Sequence, residues 1–272
     1  LGRSEERRMS WKLSAFADEI DSDIEIQFSH LQSNDISLVD LRSAYGKNVM
    51  ALTDEEVASY VETAKAYRVT VNCIGSPVNK VKMAETPASA ELDKLKRAIE
   101  VAKIADTKRI RIFTPEGDDF DDICTWMEPQ IQAAFDAGIE LLHENDAKYY
   151  GAYPEQAKKL MDRFASSSFR FAFDFANTVQ IGFRAMDDWF PWLLPHLATI
   201  HIKDAREDKS VVPAGEGVGQ LPETLAWLKE QGWEGVLSIE PHLQYAGDRG
   251  GFSGIESFTI ATEAIKGVLA KL

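Results

Sequence analysis

Eight short β-prone runs recur along this chain, each separated from the next by a longer stretch, and this alternation limits the fold more than any other feature of the sequence. The runs fall at 13–17, 36–41, 69–74, 109–113, 139–143, 169–173, 198–202 and 235–239, and each is short, apolar and bounded by polar or turn-forming residues. Between them lie helical patterns with start and stop signals. TDEEVASYVETAKAY opens with Thr53 in a capping position and Glu56 three residues on, the reciprocal pairing that satisfies free N–H groups at a helix start. Further helical stretches are SAELDKLKRAIEVAKIA, DICTWMEPQIQAAFDAG, PEQAKKLMDRFA, DDWFPWLLPHL, LPETLAWLKEQG and FTIATEAIKGVLAKL. Gly138 and Gly232 stand where helices end, positions at which a left-handed cap costs glycine least. Strict alternation of strand and helix implies a parallel sheet, and eight repeats in about 250 residues is the number that closes into a (β/α)8 barrel of the TIM type. An open, doubly wound sheet is the rival, but no GxGxxG follows the first run.

The 272 residues, 44% hydrophobic and 27% charged, suit one large cored domain. We take 9–272 as that single barrel domain and read the charged residues 1–8 as an upstream extension outside it. A formal charge of −14 repels nucleic-acid phosphates and anionic membranes, so neither is expected as a partner. Cys73 and Cys124 are far apart and lack metal-knuckle spacing, so two buried thiols in a reducing compartment are expected. No apolar run nears the ~20 residues that span a bilayer, and LGRSEERRMSWKL lacks the apolar centre of a signal peptide, which makes a soluble, cytoplasmic protein the expectation.

Barrels of this kind carry their chemistry at the C-terminal ends of the strands. Here the fifth run ends LLHEN with Glu144, the sixth FAFDFAN with Asp174, the seventh carries His201 in IHIKD, and the eighth ends LSIEPH with Glu240. One acid at a strand end is more often a helix cap or the partner of a lysine, and a lone histidine is more often a hydrogen-bonded core residue. Four such residues on four successive strands converge when a barrel closes. Three carboxylates and an imidazole form an oxygen-rich ligand set for Mn²⁺, Mg²⁺, Co²⁺ or Zn²⁺. With no Lys or Arg obvious within each strand, the cluster is expected to repel itself unless a cation or a shared proton joins it.

HEN at 143–145, DFAN at 174–177, HIKDAR at 201–206, PAGEGVG at 213–219 and GWEGVLSIEPH at 232–242 together resemble the xylose isomerase-like TIM-barrel superfamily, in particular its sugar phosphate isomerase/epimerase branch. The resemblance implies that Glu144, Asp174, His201 and Glu240 bind one divalent ion, Mn²⁺ foremost, and that Glu144 and Glu240 also transfer protons. It offers Asn177, Lys203, Arg206 and His242 as substrate-binding residues, although Lys203 is equally placed to pair with Asp204, and Asn177 stands where ketose 3-epimerases carry histidine. The activity implied is isomerisation or epimerisation of a sugar or sugar-like ketone through an enediolate. Dehydration of a cyclitol or keto-sugar starts from the same intermediate, and a sugar-binding barrel without catalysis is the non-enzymatic alternative. An endonuclease IV-type zinc cluster needs more histidine than the five present, of which only His143, His201 and His242 lie near strand ends. Glu216 within PAGEGVG opposes a phosphate there, which favours a neutral sugar or cyclitol. Phe175, Trp233 and Tyr245 are candidate sugar-stacking aromatics. Homo-oligomerisation is left open.

Overall fold

The computed structural model describes residues 11–243 and 254–272; the extension read at 1–8 lies outside them. Eight strands form the main sheet: β1 (Lys12–Ala15), β2 (Leu38–Leu41), β3 (Thr70–Gly75), β4 (Arg109–Ile112), β5 (Glu140–Glu144), β6 (Phe169–Asp174), β7 (Leu197–Ile202) and β8 (Val236–Ile239). Every ladder is parallel and the order is β1-β8-β7-β6-β5-β4-β3-β2, so the sheet curls until its first two strands meet. No ladder joins β1 to β2; across that seam Ser14 Oγ donates to Asp40 Oδ1 at 3.0 Å. The fold is a single-domain (β/α)8 TIM barrel, as the alternation predicted.

The helices are α1 (Ile24–Ser33), α2 (Asp54–Ala66), α3 (Ala88–Ile104), α4 (Phe120–Ala137), α5 (Pro154–Phe164), α6 (Phe175–Gln180), α7 (Phe190–Leu193), α8 (Leu221–Glu230) and α9 (Gly254–Leu269). The Thr53–Glu56 capping box is formed at the start of α2, and Gly138 closes α4 with φ +67°. Two differences from the sequence reading have clear causes. The pattern does not single out α1, whose start is fixed by Asp23, its side chain accepting from the Glu25 and Ile26 N–H groups. The helix expected over DDWFPWLLPHL is broken into a π turn (Ala185–Trp189), α7 and a 3-10 turn (Leu194–His196), because Pro191 and Pro195 each remove an N–H that a continuous helix needs. Among the described residues no helix is long and apolar enough to cross a membrane.

Strand alternation decides what faces the barrel axis. In β4, Ile110 and Ile112 are buried against the helix layer while Arg109 and Arg111 ion-pair with Glu140 and Glu144 of β5. Apolar burial dominates outside the sheet, where Phe173 packs edge-on against Phe175, Trp189 and Phe190, side chains that each contribute roughly 1.5–3 kcal/mol by leaving water. The helical layer thus fixes the strand ends rigidly, and the strand ends carry the polar groups.

Candidate metal centre

Each predicted ligand is placed by the end of its own strand. Glu144 closes β5, Asp174 closes β6, His201 is the penultimate residue of β7, and Glu240 follows β8 directly. All four are buried, and one ligand atom from each lies within 4.8 Å of all the others. The HEN motif has a structural reason. Asn145 accepts from the Asp174 N–H at 2.8 Å and donates to the Asp174 carbonyl at 3.0 Å, which ties the end of β5 to the end of β6. Asp174 also caps α6, its Oδ1 accepting from the Asn177 N–H at 2.9 Å, so that Oδ2 is left for the cluster.

Among the described residues the acids have no basic neighbour within their own strands, but other strand ends bring basic side chains to them. Arg42, just after β2, donates to Glu240 Oε1 at 2.7 Å and forks onto both oxygens of Asp18 at 2.8 and 2.9 Å, with Glu19 Oε1 at 3.2 Å. Arg111 donates to Glu144 Oε2 at 3.1 Å. Lys203 Nζ lies 2.9 Å from Asp174 Oδ2 and 3.3 Å from Glu240 Oε2. Beneath them Phe16 is buried, with Arg42 and Arg111 over its ring and His201 meeting it edge-on at 5.2 Å. Arg42 and Arg111 were missed in the sequence because an arginine beside a strand reads as a surface residue; the alternation of Arg109 and Arg111 in RIRI was the available signal.

Among the described residues five acids, Asp18, Glu19, Glu144, Asp174 and Glu240, meet three permanent cations, Arg42, Arg111 and Lys203. Burial works to raise the Glu144 carboxyl, but the charges of His201 and Arg111 outweigh it and hold the group below the usual carboxylate range. Glu240 is likewise held low, with Lys203, His242 and Arg42 overcoming its burial. Asp174 goes the other way, pushed up to about 6 by burial and by Glu144 and Glu240, with Lys203 opposing. Burial lowers His201, yet the surrounding carboxylates prevail and raise it. Glu19 rises to about 8, first through burial.

The donor set fits a divalent ion. His201 Nδ1 is 3.3 Å from Glu144 Oε1 and 3.7 Å from Glu240 Oε2, yet it is aligned with neither and has no hydrogen bond. Asp174 Oδ2 is met by the Lys203 ammonium at 2.9 Å. A buried imidazole nitrogen without a hydrogen bond, beside three converging carboxylates, is what a hard or borderline cation would satisfy. A second acidic group, Glu19, Glu240 and His242, shares Glu240 with the first, and Arg42 pairs with both of its glutamates.

The remaining predicted residues separate. Asn177 is buried and donates to Glu144 Oε1 at 3.3 Å. Lys203 pairs with Asp174 and Glu240 and not with Asp204, and it reaches His242 Nδ1 at 3.1 Å. His242, with φ +48°, binds Glu19 through Nε2 at 3.0 Å and through its N–H at 3.0 Å; burial pushes its ring down to about 3. Arg206 stands exposed in the turn between two short strands, Asp204–Ala205 and Val211–Val212, outside this network. Asp204 accepts the N–H groups of Ala205, Gly215, Gly217 and Gly219. The glycine backbone of PAGEGVG is therefore committed to an internal carboxylate, and a Cβ on Gly217 would collide with it. Phe175 is fully buried among aromatics, and Trp233 packs on Trp11 and bonds the Leu197 carbonyl at the opposite end of the barrel, so both are core residues; Tyr245 lies outside the described residues. His143 faces away from the ligands toward Thr114, and burial pushes it down to about 4.

The chain has close counterparts in shape and distant ones in sequence. A D-tagatose 3-epimerase-like protein matches with a TM-score of 0.77 at 18% identity, covering 96% of this chain and 97% of that one. The probable 3-DHS dehydratase AsbF of Bacillus anthracis gives 0.73 at 14% identity over 96% and 99%, and the IOLI protein with a bound zinc atom gives 0.72 at 15% over 96% and 98%. These likenesses establish the fold. No curated protein of assigned function matches the sequence. The sequence pattern of one family does, across residues 30–258, a span that includes the four converging side chains, and on that match the chain belongs to the xylose isomerase-like TIM-barrel family.

Proposed function

We propose that this protein is a divalent-metal-dependent isomerase or epimerase of a small sugar or sugar-like ketone, working by proton transfer through an enediolate. One observation carries the reading: Glu144, Asp174, His201 and Glu240, all buried, present ligand atoms within 4.8 Å of one another. Asp174 and His201 would hold the ion, Mn²⁺ foremost, together with an oxygen from each glutamate. When bound, the ion would polarise a substrate carbonyl and acidify the neighbouring C–H. Glu144 and Glu240 enter the cluster from β5 and β8, on different sides, so one can take the proton and the other return it. Asn177 steadies Glu144. Lys203, whose pKa is raised because Asp174 and Glu240 overcome its burial, keeps its charge and faces the negative charge that develops on the substrate oxygens.

Dehydration of a cyclitol or keto-sugar is the second reading, since it starts from the same enediolate and the residue that follows Asp174 into α6 to bond Glu144 is the amide Asn177 rather than a histidine. Incubating Mn²⁺-loaded protein in D₂O with ketoses, cyclitol ketones and 3-keto-glycosides separates the two. Deuterium at the carbon beside the carbonyl, with conversion to an isomer, supports the first; loss of water to an unsaturated ketone supports the second. Absence of exchange across the panel, with metal bound, counts against both.

A further inference from the structure

The ion pairs of Lys203 have no place in the ligand set and yet occupy it. Its ammonium contacts Asp174 at 2.9 Å and Glu240 at 3.3 Å, two of the four residues that converge, and its third neighbour is His242 Nδ1 at 3.1 Å. The side chain is buried, follows β7 directly after His201 and Ile202, and makes no bond to the adjacent Asp204. Arg42 and Arg111 differ from it: each holds one glutamate at the edge of the cluster and is anchored elsewhere, Arg42 on Asp18 and Arg111 on the carbonyls of Gly75 and Ser76.

We infer that Lys203 is a resident counter-ion of the ligand cluster, a charge that keeps Asp174 and Glu240 gathered before metal arrives and competes with the metal for them. The inference rests on the metal-dependent reading above and goes beyond it by assigning a residue that limits affinity. A positive charge about 3 Å from two ligand oxygens opposes a divalent ion in a site where water screens little. Without Lys203 the carboxylates repel one another more in the metal-free chain, and the metal relieves more repulsion on binding. Both effects tighten binding.

The test is calorimetric titration of chelator-stripped protein with Mn²⁺ at one pH, comparing wild type with Lys203→Met, Lys203→Gln and Lys203→Arg. The uncharged variants are expected to bind at least about tenfold more tightly, with the arginine variant within a few-fold of wild type. Thermal melts give a readout that activity does not enter: the uncharged variants should melt lower than wild type when metal-free and recover more on saturation with Mn²⁺. Wild-type binding with unchanged or weaker affinity in an uncharged variant overturns this inference and leaves the metal reading standing. If neither wild type nor either uncharged variant binds Mn²⁺, Mg²⁺, Co²⁺ or Zn²⁺, both are overturned.

Discussion

The two ends of the barrel carry the same kinds of side chain and treat them differently. At the N-terminal end Glu140 accepts from Arg109 at 2.9 Å and from Arg170 at 3.2 Å, and deeper inside Asp40 accepts from Ser14, Asn72 and Ser238. These groups close on themselves. At the C-terminal end acids exceed bases. Of the buried polar side-chain atoms without a hydrogen bond among the described residues, Arg111 Nε and His201 Nδ1 belong to this cluster. A polar cluster that satisfies itself holds a fold together, whereas one with unpaired groups is a candidate binding site.

The largest effect that would break this contrast is at the glutamates. Glu240→Gln and Glu144→Gln each keep the shape and one ligating oxygen but lose the basic one, so turnover should fall by about 10²–10⁴-fold, and the metal-free protein should melt lower because Arg42 and Lys203, or Arg111, lose a buried counter-charge. Each single variant should still exchange the substrate proton with D₂O if the two acids serve opposite faces. Near-wild-type turnover in both, with metal bound, would remove the two-carboxylate mechanism.

At the other end stability should change without metal binding. Glu140→Gln leaves Arg109 and Arg170 without their counter-charge and should cost roughly 1–3 kcal/mol of stability in denaturant titration, with Mn²⁺ affinity unchanged. A loss of affinity equal to that of an Asp174→Asn variant would show that the two ends are not independent.

Acidity sharpens the comparison further. Asp174 is raised from 3.8 to about 6 and His201 is raised from 6.5, so in the metal-free chain both favour their protonated forms. That stabilisation is complete below their unfolded values and lost as pH rises through the folded ones. Metal needs both deprotonated. Mn²⁺ should therefore raise the melting temperature little at pH 5 and progressively more above pH about 6, with protons released on binding; a shift independent of pH would contradict the assignment of Asp174 and His201 as ligands. The smallest effect is expected at Arg206, exposed in its turn, where Arg206→Ala should leave Mn²⁺ binding unaltered and change stability by no more than ~0.5 kcal/mol.

The sequence revealed one half of this contrast more readily than the other. Strand number, barrel closure and the convergence of Glu144, Asp174, His201 and Glu240 were readable because a strand ends where its apolar run ends, and the acid or histidine found there is carried to the mouth whatever the loops do. Arg42, Arg111 and Glu19 were not readable, since each acts on a partner from another strand end 33 to 223 residues away and no local spacing links such pairs. For Lys203 the sequence offered a place near substrate oxygens or a pair with Asp204, the latter because adjacent opposite charges suggest one, but alternation sends successive side chains to opposite faces. Asp204 turned instead to the glycine N–H groups of the 213–219 loop. The Trp233 and Phe175 rings were indistinguishable from ligand-facing aromatics until the packing of the helical layer placed them.

Metal stoichiometry tests the central claim most directly. Chelator-stripped protein titrated with Mn²⁺ and analysed for bound metal after gel filtration should retain about one ion per chain, and an Asp174→Ala/His201→Ala double variant should retain none while keeping its fold by circular dichroism. A wild-type chain that takes up no Mn²⁺, Mg²⁺, Co²⁺ or Zn²⁺, or a double variant that still holds one ion, would contradict it.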